Sequence, residues 1–209
     1  KKGFKRVVSL DESGRVPISG PVTAADVTVR PQKLKIVNCK LKIILNEIKD
    51  SKKLSQKKRE RLYKLITENQ NIKWGIAMVS EKVIDKINIK NAAELAMEKA
   101  LQNIEKKIKQ KADFLLIDGN TIKNHKLKIT NHKLIVKADE KVFSCAAASI
   151  LAKVARDRIM KKEDEKYPQY GFARHKGYPT KFHKRMLKKY GPCVIHRTSF
   201  SPVRDNMVR

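Results

Sequence analysis

Four carboxylates follow short apolar runs of the kind that forms buried strands. Asp11 and Glu12 end the run RVVSL, Asp118 ends FLLI, and Asp139 comes shortly after LIV. Each has an ordinary explanation, since an Asp beside a Gly, as at Asp118, commonly hydrogen-bonds its own backbone in a turn. Strand ends are also where ligand chemistry collects in open α/β sheets, so the four side chains are expected to meet there.

A cluster of these carboxylates predicts a cation between them. Two carboxylates ~4 Å apart repel by about 4 kcal/mol at an effective dielectric constant of 20. A ligand set made of oxygen, without His or Cys, favours a hard cation such as Mg²⁺ or Mn²⁺ over zinc. Paired ions of this kind activate water and stabilise the leaving oxygen in phosphodiester hydrolysis.

The charge balance indicates a polyanionic partner. The 209 residues include 49 Lys and Arg against 21 Asp and Glu, a net charge of +28. Such a surface favours nucleic acid, although general solubility explains it equally well. With 41% hydrophobic residues the chain can bury a core, which excludes wholesale disorder.

Cysteine spacing and hydropathy exclude several classes of protein. Cys39, Cys145 and Cys193 show no C-x-x-C spacing, so neither a disulfide framework nor a cysteine zinc site is predicted. A cytoplasmic location fits this pattern best. No apolar run approaches the roughly 18 residues of a membrane span, and no membrane partner is expected.

The elements that must position these carboxylates alternate between strand and helix. Strands are predicted at residues 6–10, 22–29, 74–79, 114–117 and 134–136, and helices at 55–68, 89–108, 145–160 and 179–189. The Gly- and Pro-rich segment 14–21 predicts a tight, hairpin-like connection between the first two strands, which are then antiparallel neighbours.

This order predicts an α/β fold, a mixed β-sheet flanked by α-helices with a helical C-terminal extension. The catalytic core is expected at residues 1–160. The extension is expected at residues 161–209, packed on the core as one compact unit, with substrate binding as its role.

Longer motifs run along nearly the whole chain. They include DESGR at 11–15, DSKKLS at 50–55, IDGN at 117–120, KAD at 137–139, AAASILAKV at 146–154, HKGYPT at 175–180 and HRTSF at 196–200. In order and spacing they resemble ribonuclease HII, the type 2 ribonuclease H. The resemblance implies an RNase H-like fold and endonucleolytic hydrolysis of the RNA strand of RNA–DNA hybrids. It also implies cleavage 5′ of ribonucleotides embedded in duplex DNA, leaving 3′-hydroxyl and 5′-phosphate ends, as in ribonucleotide excision repair.

Motif positions imply the residues of the catalytic centre. The catalytic, metal-binding residues implied by the resemblance are Asp11, Glu12, Asp118 and Asp139, with two Mg²⁺ or Mn²⁺ ions expected during catalysis. Four further acids match positions outside the metal site: Asp26, Asp50, Asp85 and Asp157.

The same resemblance implies four nucleic-acid contacts. Gly14 and Arg15 lie in the turn that touches the ribonucleotide at the RNA–DNA junction. Lys53 contacts phosphate, and Tyr178 stacks against the deoxyribose that follows the ribonucleotide. The partners expected are RNA–DNA hybrid and ribonucleotide-containing duplex DNA, bound by a monomer.

One residue departs from the family pattern. The family turn normally reads Gly-Arg-Gly, whereas this chain has Val16 in the third position. A β-branched residue tolerates positive φ poorly and holds the backbone farther from a ligand. The departure predicts a looser approach of the turn to a 2′-hydroxyl.

Three other interpretations stay open at this point. A catalytically impaired or non-enzymatic nucleic-acid-binding protein on the same scaffold fits the basic charge, but four retained carboxylates argue against it. A basic RNA-binding structural protein leaves the strand-end acids unexplained. Ribonuclease HIII normally carries an additional N-terminal domain, for which the residues before position 6 leave no room.

Overall fold

A computed structural model describes residues 3–29, 44, 47–48, 54–119 and 131–207 of the chain. These residues form a mixed five-stranded sheet in the order β3-β2-β1-β4-β5. The strands are β1 (Val7–Ser13), β2 (Val22–Val29), β3 (Ile72–Val79), β4 (Phe114–Asp118) and β5 (His132–Ile135). Strand β2 is antiparallel to both β1 and β3, whereas β4 is parallel to β1 and β5 is parallel to β4.

Helices cover both faces of this sheet. They are α1 (Gln56–Glu68), α2 (Glu81–Ile108), α3 (Ala138–Lys141), α4 (Phe143–Lys166), α5 (Phe172–His175), α6 (Lys181–Tyr190) and α7 (Ser201–Arg204). A 3₁₀ turn at Pro168–Tyr170 joins α4 to α5. None of the helices in the described segments is long and apolar enough to cross a membrane.

The two faces of β2 show why the sheet is buried on both sides. Ala24 belongs to the core cluster formed with α2, and its neighbour Ala25 belongs to the cluster formed with α4. The three alanines of α4 at positions 146–148 lie in the second cluster, where small side chains allow close approach to the strand. A strand covered on both faces is therefore buried along most of its length, as Val22 to Val27 of β2 are.

Local caps explain why two helix starts were predictable. The Ser55 hydroxyl accepts a hydrogen bond from the Lys58 backbone N–H, so α1 begins at the predicted residue. Helix α2 begins earlier than predicted but bends at Asn88, whose φ is 63°. Because the Asn88 side chain caps the N–H groups of Lys90 and Asn91, the predicted start at residue 89 marks the second segment of this helix.

The connection between β1 and β2 differs from the tight turn that the sequence predicted. The two strands are antiparallel neighbours, as predicted, but pairing stops at Ser13 and Thr23. Residues 14–21, here called the β1–β2 loop, instead bond to the C-terminal part of the chain. The Ile18 N–H donates to the Gly177 carbonyl at 2.9 Å, and Ser19 forms a bridge with His196.

Helix α4 runs across the predicted domain boundary. It continues past residue 160 to Lys166, and Met160 packs with Tyr170, Phe172 and Ile195 of the following segment. The division at residue 160 stays a prediction.

Candidate active site

Strands β1 and β4 bring two of the predicted acids together. Leu10 is paired with Ile117 in parallel register, so the next residues, Asp11 and Asp118, stand side by side at the carboxyl ends of adjacent strands. Asp11 is only 6% exposed. Burial, then repulsion from Glu12 and Asp118, raise the pKa of Asp11 well above its usual value.

Glu12 is the next residue of β1 and lies close enough to Asp118 to be affected by its charge. Arg15 reaches back to it, with Nε 2.5 Å from Glu12 Oε1. Among the described residues, the buried Oε2 of Glu12 has no hydrogen-bond partner. Burial raises the pKa of Glu12, Arg15 opposes that rise, and repulsion from Asp118 adds to it.

The third and fourth acids are joined through the backbone. Oδ1 of Asp118 accepts a hydrogen bond from the Ala138 N–H at 3.0 Å, which ties the end of β4 to the start of α3. Asp139 lies in the first turn of α3 and is 2% exposed. The sequence predicted this residue just past a strand, but β5 ends at Ile135, and Lys137 (φ 56°) turns the chain into the helix.

A buried thiol shows that three of the four predicted acids share one region. Burial raises the pKa of Cys145 to about 12, and repulsion from Asp11, Asp118 and Asp139 adds to that rise. Cys145 lies on α4, so this helix packs next to the acids.

The donor set fits a hard divalent cation. Every candidate ligand atom is a carboxylate oxygen, and the buried Oε2 of Glu12 offers acceptor capacity that a cation would use. Within the described segments, no three Asp, Glu, His or Cys side chains already have the mutual arrangement of metal ligands.

The predicted nucleic-acid contacts that the structure describes lie in the β1–β2 loop and in the segment before α6. Gly14 carries the positive φ of the turn, 106°. Val16 does not have a positive φ and its side chain is 64% exposed, so the backbone strain expected at this position does not arise. Tyr178 is 39% exposed, with Lys153 Nζ 5.9 Å from its ring centroid. Lys53 lies outside the described residues.

Two site residues escaped the sequence interpretation. Arg156 and Arg197 are fully buried and hydrogen-bond the carbonyls of the β1–β2 loop. In a chain with 49 Lys and Arg, no local signal distinguishes these two from surface cations. Only the RD pair and the HRTSF motif pointed to their positions.

The sheet order, the helices on both faces and the acids at the ends of parallel strands define an RNase H-like protein. The ribonuclease H2 from Pyrococcus horikoshii OT3 superposes with a TM-score of 0.77 at 23% identity, covering 98% of each chain. Bst-RNase HIII in complex with Mn²⁺ superposes with a TM-score of 0.72 at 15% identity, over 99% of this chain and 70% of the other. These similarities confirm the predicted fold.

Sequence comparison then gives the family. The sequence model of the family Ribonuclease HII matches residues 8–203. Ribonuclease HII of Caldicellulosiruptor bescii is 45% identical over 199 residues, which are 95% of this chain and 88% of the relative. The chain belongs to the ribonuclease HII family. It is therefore an enzyme, a ribonuclease H acting on RNA–DNA hybrids, as the motifs indicated.

Proposed function

We propose that the chain cuts the RNA strand of RNA–DNA hybrids and also cleaves 5′ of ribonucleotides embedded in duplex DNA. The catalytic, metal-binding residues would be Asp11, Glu12, Asp118 and Asp139. The observation that carries this proposal is the convergence of buried acids at the ends of β1 and β4, where burial and mutual repulsion raise the pKa values of Asp11 and Glu12.

The cost of burying these acids together supports a cation-binding role. Without counter-charge the cluster destabilises the folded chain, and Arg15 neutralises only Glu12. Bound Mg²⁺ or Mn²⁺ would supply water activation and stabilisation of the leaving oxygen, leaving 3′-hydroxyl and 5′-phosphate ends. The protein's own part would be to hold the oxygen ligands at the ends of β1 and β4 and in the first turn of α3, and to exclude bulk water from them.

Three of the proposed substrate contacts come from two parts of the chain, the β1–β2 loop and the segment before α6. The buried Gly14 and the exposed Arg15 lie in the turn that follows Glu12, and Tyr178 offers an exposed ring for stacking against a sugar. Lys53 would bind phosphate. Together these residues would set the register of a duplex whose ribonucleotide faces the acids.

The decisive experiment compares Asp118→Asn with the parent protein on two labelled duplexes in Mg²⁺ and in Mn²⁺. One duplex is a complete hybrid and the other contains a single ribonucleotide. We expect at least about a 10²-fold loss of cleavage on both duplexes with duplex binding retained, because a neutral amide cannot replace the anionic ligand. Product ends are mapped by gel mobility.

The matched control is Asp205→Asn, an exposed acid of the C-terminal segment with a 58% exposed side chain. It should cleave like the parent. Undiminished cleavage by Asp118→Asn contradicts the assignment of the centre. Calorimetric titration gives a second readout, since Mn²⁺ should bind the parent protein more tightly than the Asp118→Asn variant even without substrate.

A further inference from the structure

Two buried arginines are bonded almost wholly to one loop. Arg156 of α4 and Arg197 before α7 are both fully buried. Arg156 donates from Nε to Pro21 O (2.9 Å), from Nη1 to Lys176 O (2.9 Å) and from Nη2 to Ser19 O (3.0 Å). Arg197 donates from Nε to Gly20 O (2.9 Å), from Nη1 to Arg15 O (3.2 Å) and from Nη2 to Gly14 O (2.7 Å). All of these acceptors except Lys176 O belong to the β1–β2 loop.

Burying a guanidinium is energetically unfavourable if the side chain serves only to fill space. A buried guanidinium pays a large desolvation cost, and in the described part of the chain neither Arg156 nor Arg197 forms an ion pair with a carboxylate. An apolar side chain of similar volume would pack there more cheaply. What the guanidinium offers instead is a rigid fork of donors that fixes several carbonyl directions at once.

The fixed carbonyls determine where the loop presents its donors. In a trans peptide the C=O and the following N–H point in opposite directions, and no described peptide bond is cis. The Gly14 and Arg15 carbonyls point to Arg197, so the N–H groups of Arg15 and Val16 point away from it. Neither N–H group donates to another described residue. The loop therefore offers two backbone donors in an exposed turn next to Glu12.

Arg156 also ties this loop to the Tyr178 segment. Its Nη1 bonds to the carbonyl of Lys176, two residues before Tyr178. The fit is close, because a Cβ on Gly14 would stand 2.3 Å from Arg156 Nε and one on Gly177 would stand 2.6 Å from Ser19 O. One guanidinium thus bonds to both segments that carry the proposed junction contacts, beside the backbone bond from Ile18 to Gly177.

We propose that Arg156 and Arg197 are positioning residues that fix the β1–β2 loop against the Tyr178 segment and so set selectivity for the ribonucleotide–deoxyribonucleotide junction. The inference rests on the proposed contacts of Gly14, Arg15 and Tyr178. It assigns the two arginines no contact with substrate.

The test variant is Arg197→Lys, which keeps the charge but replaces a three-carbonyl fork with a point donor. Cleavage of the single-ribonucleotide duplex and of the complete hybrid is measured with kcat and KM separated. We expect kcat/KM on the single ribonucleotide to fall about 10²-fold, the scale of a 1 Å misplacement. On the complete hybrid, the fold-loss of kcat/KM should be less than about a fifth of the fold-loss on the single ribonucleotide. Many ribonucleotides along the hybrid can engage the site. Arg204→Lys, with a 64% exposed side chain, is the matched control and should change neither value.

The outcomes separate positioning from structural support. An equal loss on both duplexes in a folded variant, or no loss on either, overturns the proposal. If Arg197→Lys does not fold, Arg156→Lys is measured by the same criteria. If neither variant folds, the Nε–H resonances of the two arginines are followed by NMR in Asp118→Asn protein. These resonances should shift when a junction duplex is added and not when an all-DNA duplex is added. Equal shifts with both duplexes overturn the proposal.

The same assay distinguishes failure of the proposed function. A parent protein that cleaves the hybrid but never the embedded ribonucleotide refutes both proposals, whereas normal junction cleavage with unchanged selectivity in the lysine variants refutes only the positioning role.

Discussion

Acids outside the proposed centre differ in what surrounds their oxygens. Asp85 is anchored by the backbone and hydroxyl groups of Thr198 and Ser199, and together these bonds lower its pKa despite the opposing effect of burial. Asp26 has no such anchor. It is fully buried on β2, and neither of its carboxylate oxygens has a hydrogen-bond partner in the described segments. Burial first, then repulsion from Glu105, raise the pKa of Asp26 well above its usual value.

Because its pKa is raised, ionisation of Asp26 at higher pH destabilises the folded protein. A carboxyl whose folded pKa exceeds its unfolded value stabilises the fold at low pH, and this contribution is lost as pH rises through the folded pKa. Asp26→Asn keeps the shape of the side chain without its charge. Its advantage over the parent in unfolding free energy should grow by about 1–3 kcal/mol as the pH rises from 5 to 8. Urea unfolding at both pH values measures it, with Asp205→Asn as control. Parallel pH profiles for parent and Asp26→Asn would contradict the expectation.

Single residues were predictable from the sequence where their position along a strand revealed them. Asp11, Glu12 and Asp118 ended apolar runs, so their meeting followed from the geometry of parallel strands. Arg156 and Arg197 gave no such signal, because the carbonyls they bind lie at least 135 positions earlier in the chain, apart from Lys176.

At the scale of elements, a chain of neutral imidazoles joins α6 to the C-terminal segment. The Cys193 N–H donates to His196 Nδ1 at 2.9 Å, so His196 carries its proton on Nε2. That nitrogen donates to His183 Nε2 at 3.1 Å, and His183 Nδ1 donates to the Tyr178 carbonyl at 2.9 Å. In the first two bonds a ring nitrogen accepts, so both imidazoles are uncharged.

The chain of imidazoles predicts loss of stability in mild acid. Burial is the main cause that lowers the pKa values of His183 and His196 to about 4. Because their folded values lie below the unfolded value of about 6.5, the stability they contribute is complete above that pH and is lost as pH falls toward 4. The unfolding free energy should drop by up to about 1.4 kcal/mol per histidine for each pH unit in this range.

Urea unfolding between pH 4.5 and 7.5 measures this slope. His183→Gln should reduce it, and His132→Gln, at an exposed position of β5, should leave it unchanged. A parent protein whose stability does not decline in this window would contradict the assigned protonation.

The elements also show where sequence patterns stop being informative. Helix α1 was predictable to the residue because its cap is local. The β1–β2 connection was not, because Gly and Pro indicate a turn without revealing that Gly177 and Ile195 would supply its hydrogen-bond partners. The apolar runs that form the strands are visible locally, whereas this loop takes its shape from the far end of the chain.

At the scale of the whole molecule, the net charge of +28 surrounds an acidic centre. Duplex phosphates release condensed counterions when lysines neutralise them, so the charge should be visible as a steep salt dependence of binding. The acids at the ends of β1 and β4 repel phosphates, and this repulsion is local to that part of the molecule.

The contributions of charge and of ring stacking to substrate affinity can be measured separately. Asp118→Asn protein, used because it should bind without cutting, should lose about 10³-fold or more in affinity for a hybrid between ~50 and ~200 mM salt. Adding Lys53→Gln should reduce the slope of log affinity against log salt by about 1, since one phosphate contact is removed. Adding Tyr178→Ala should weaken binding while leaving that slope unchanged, because a stacked ring releases no counterion. Fluorescence anisotropy at five salt concentrations measures both variants, and a flat dependence for Asp118→Asn alone would show that the basic surface is not where the duplex docks.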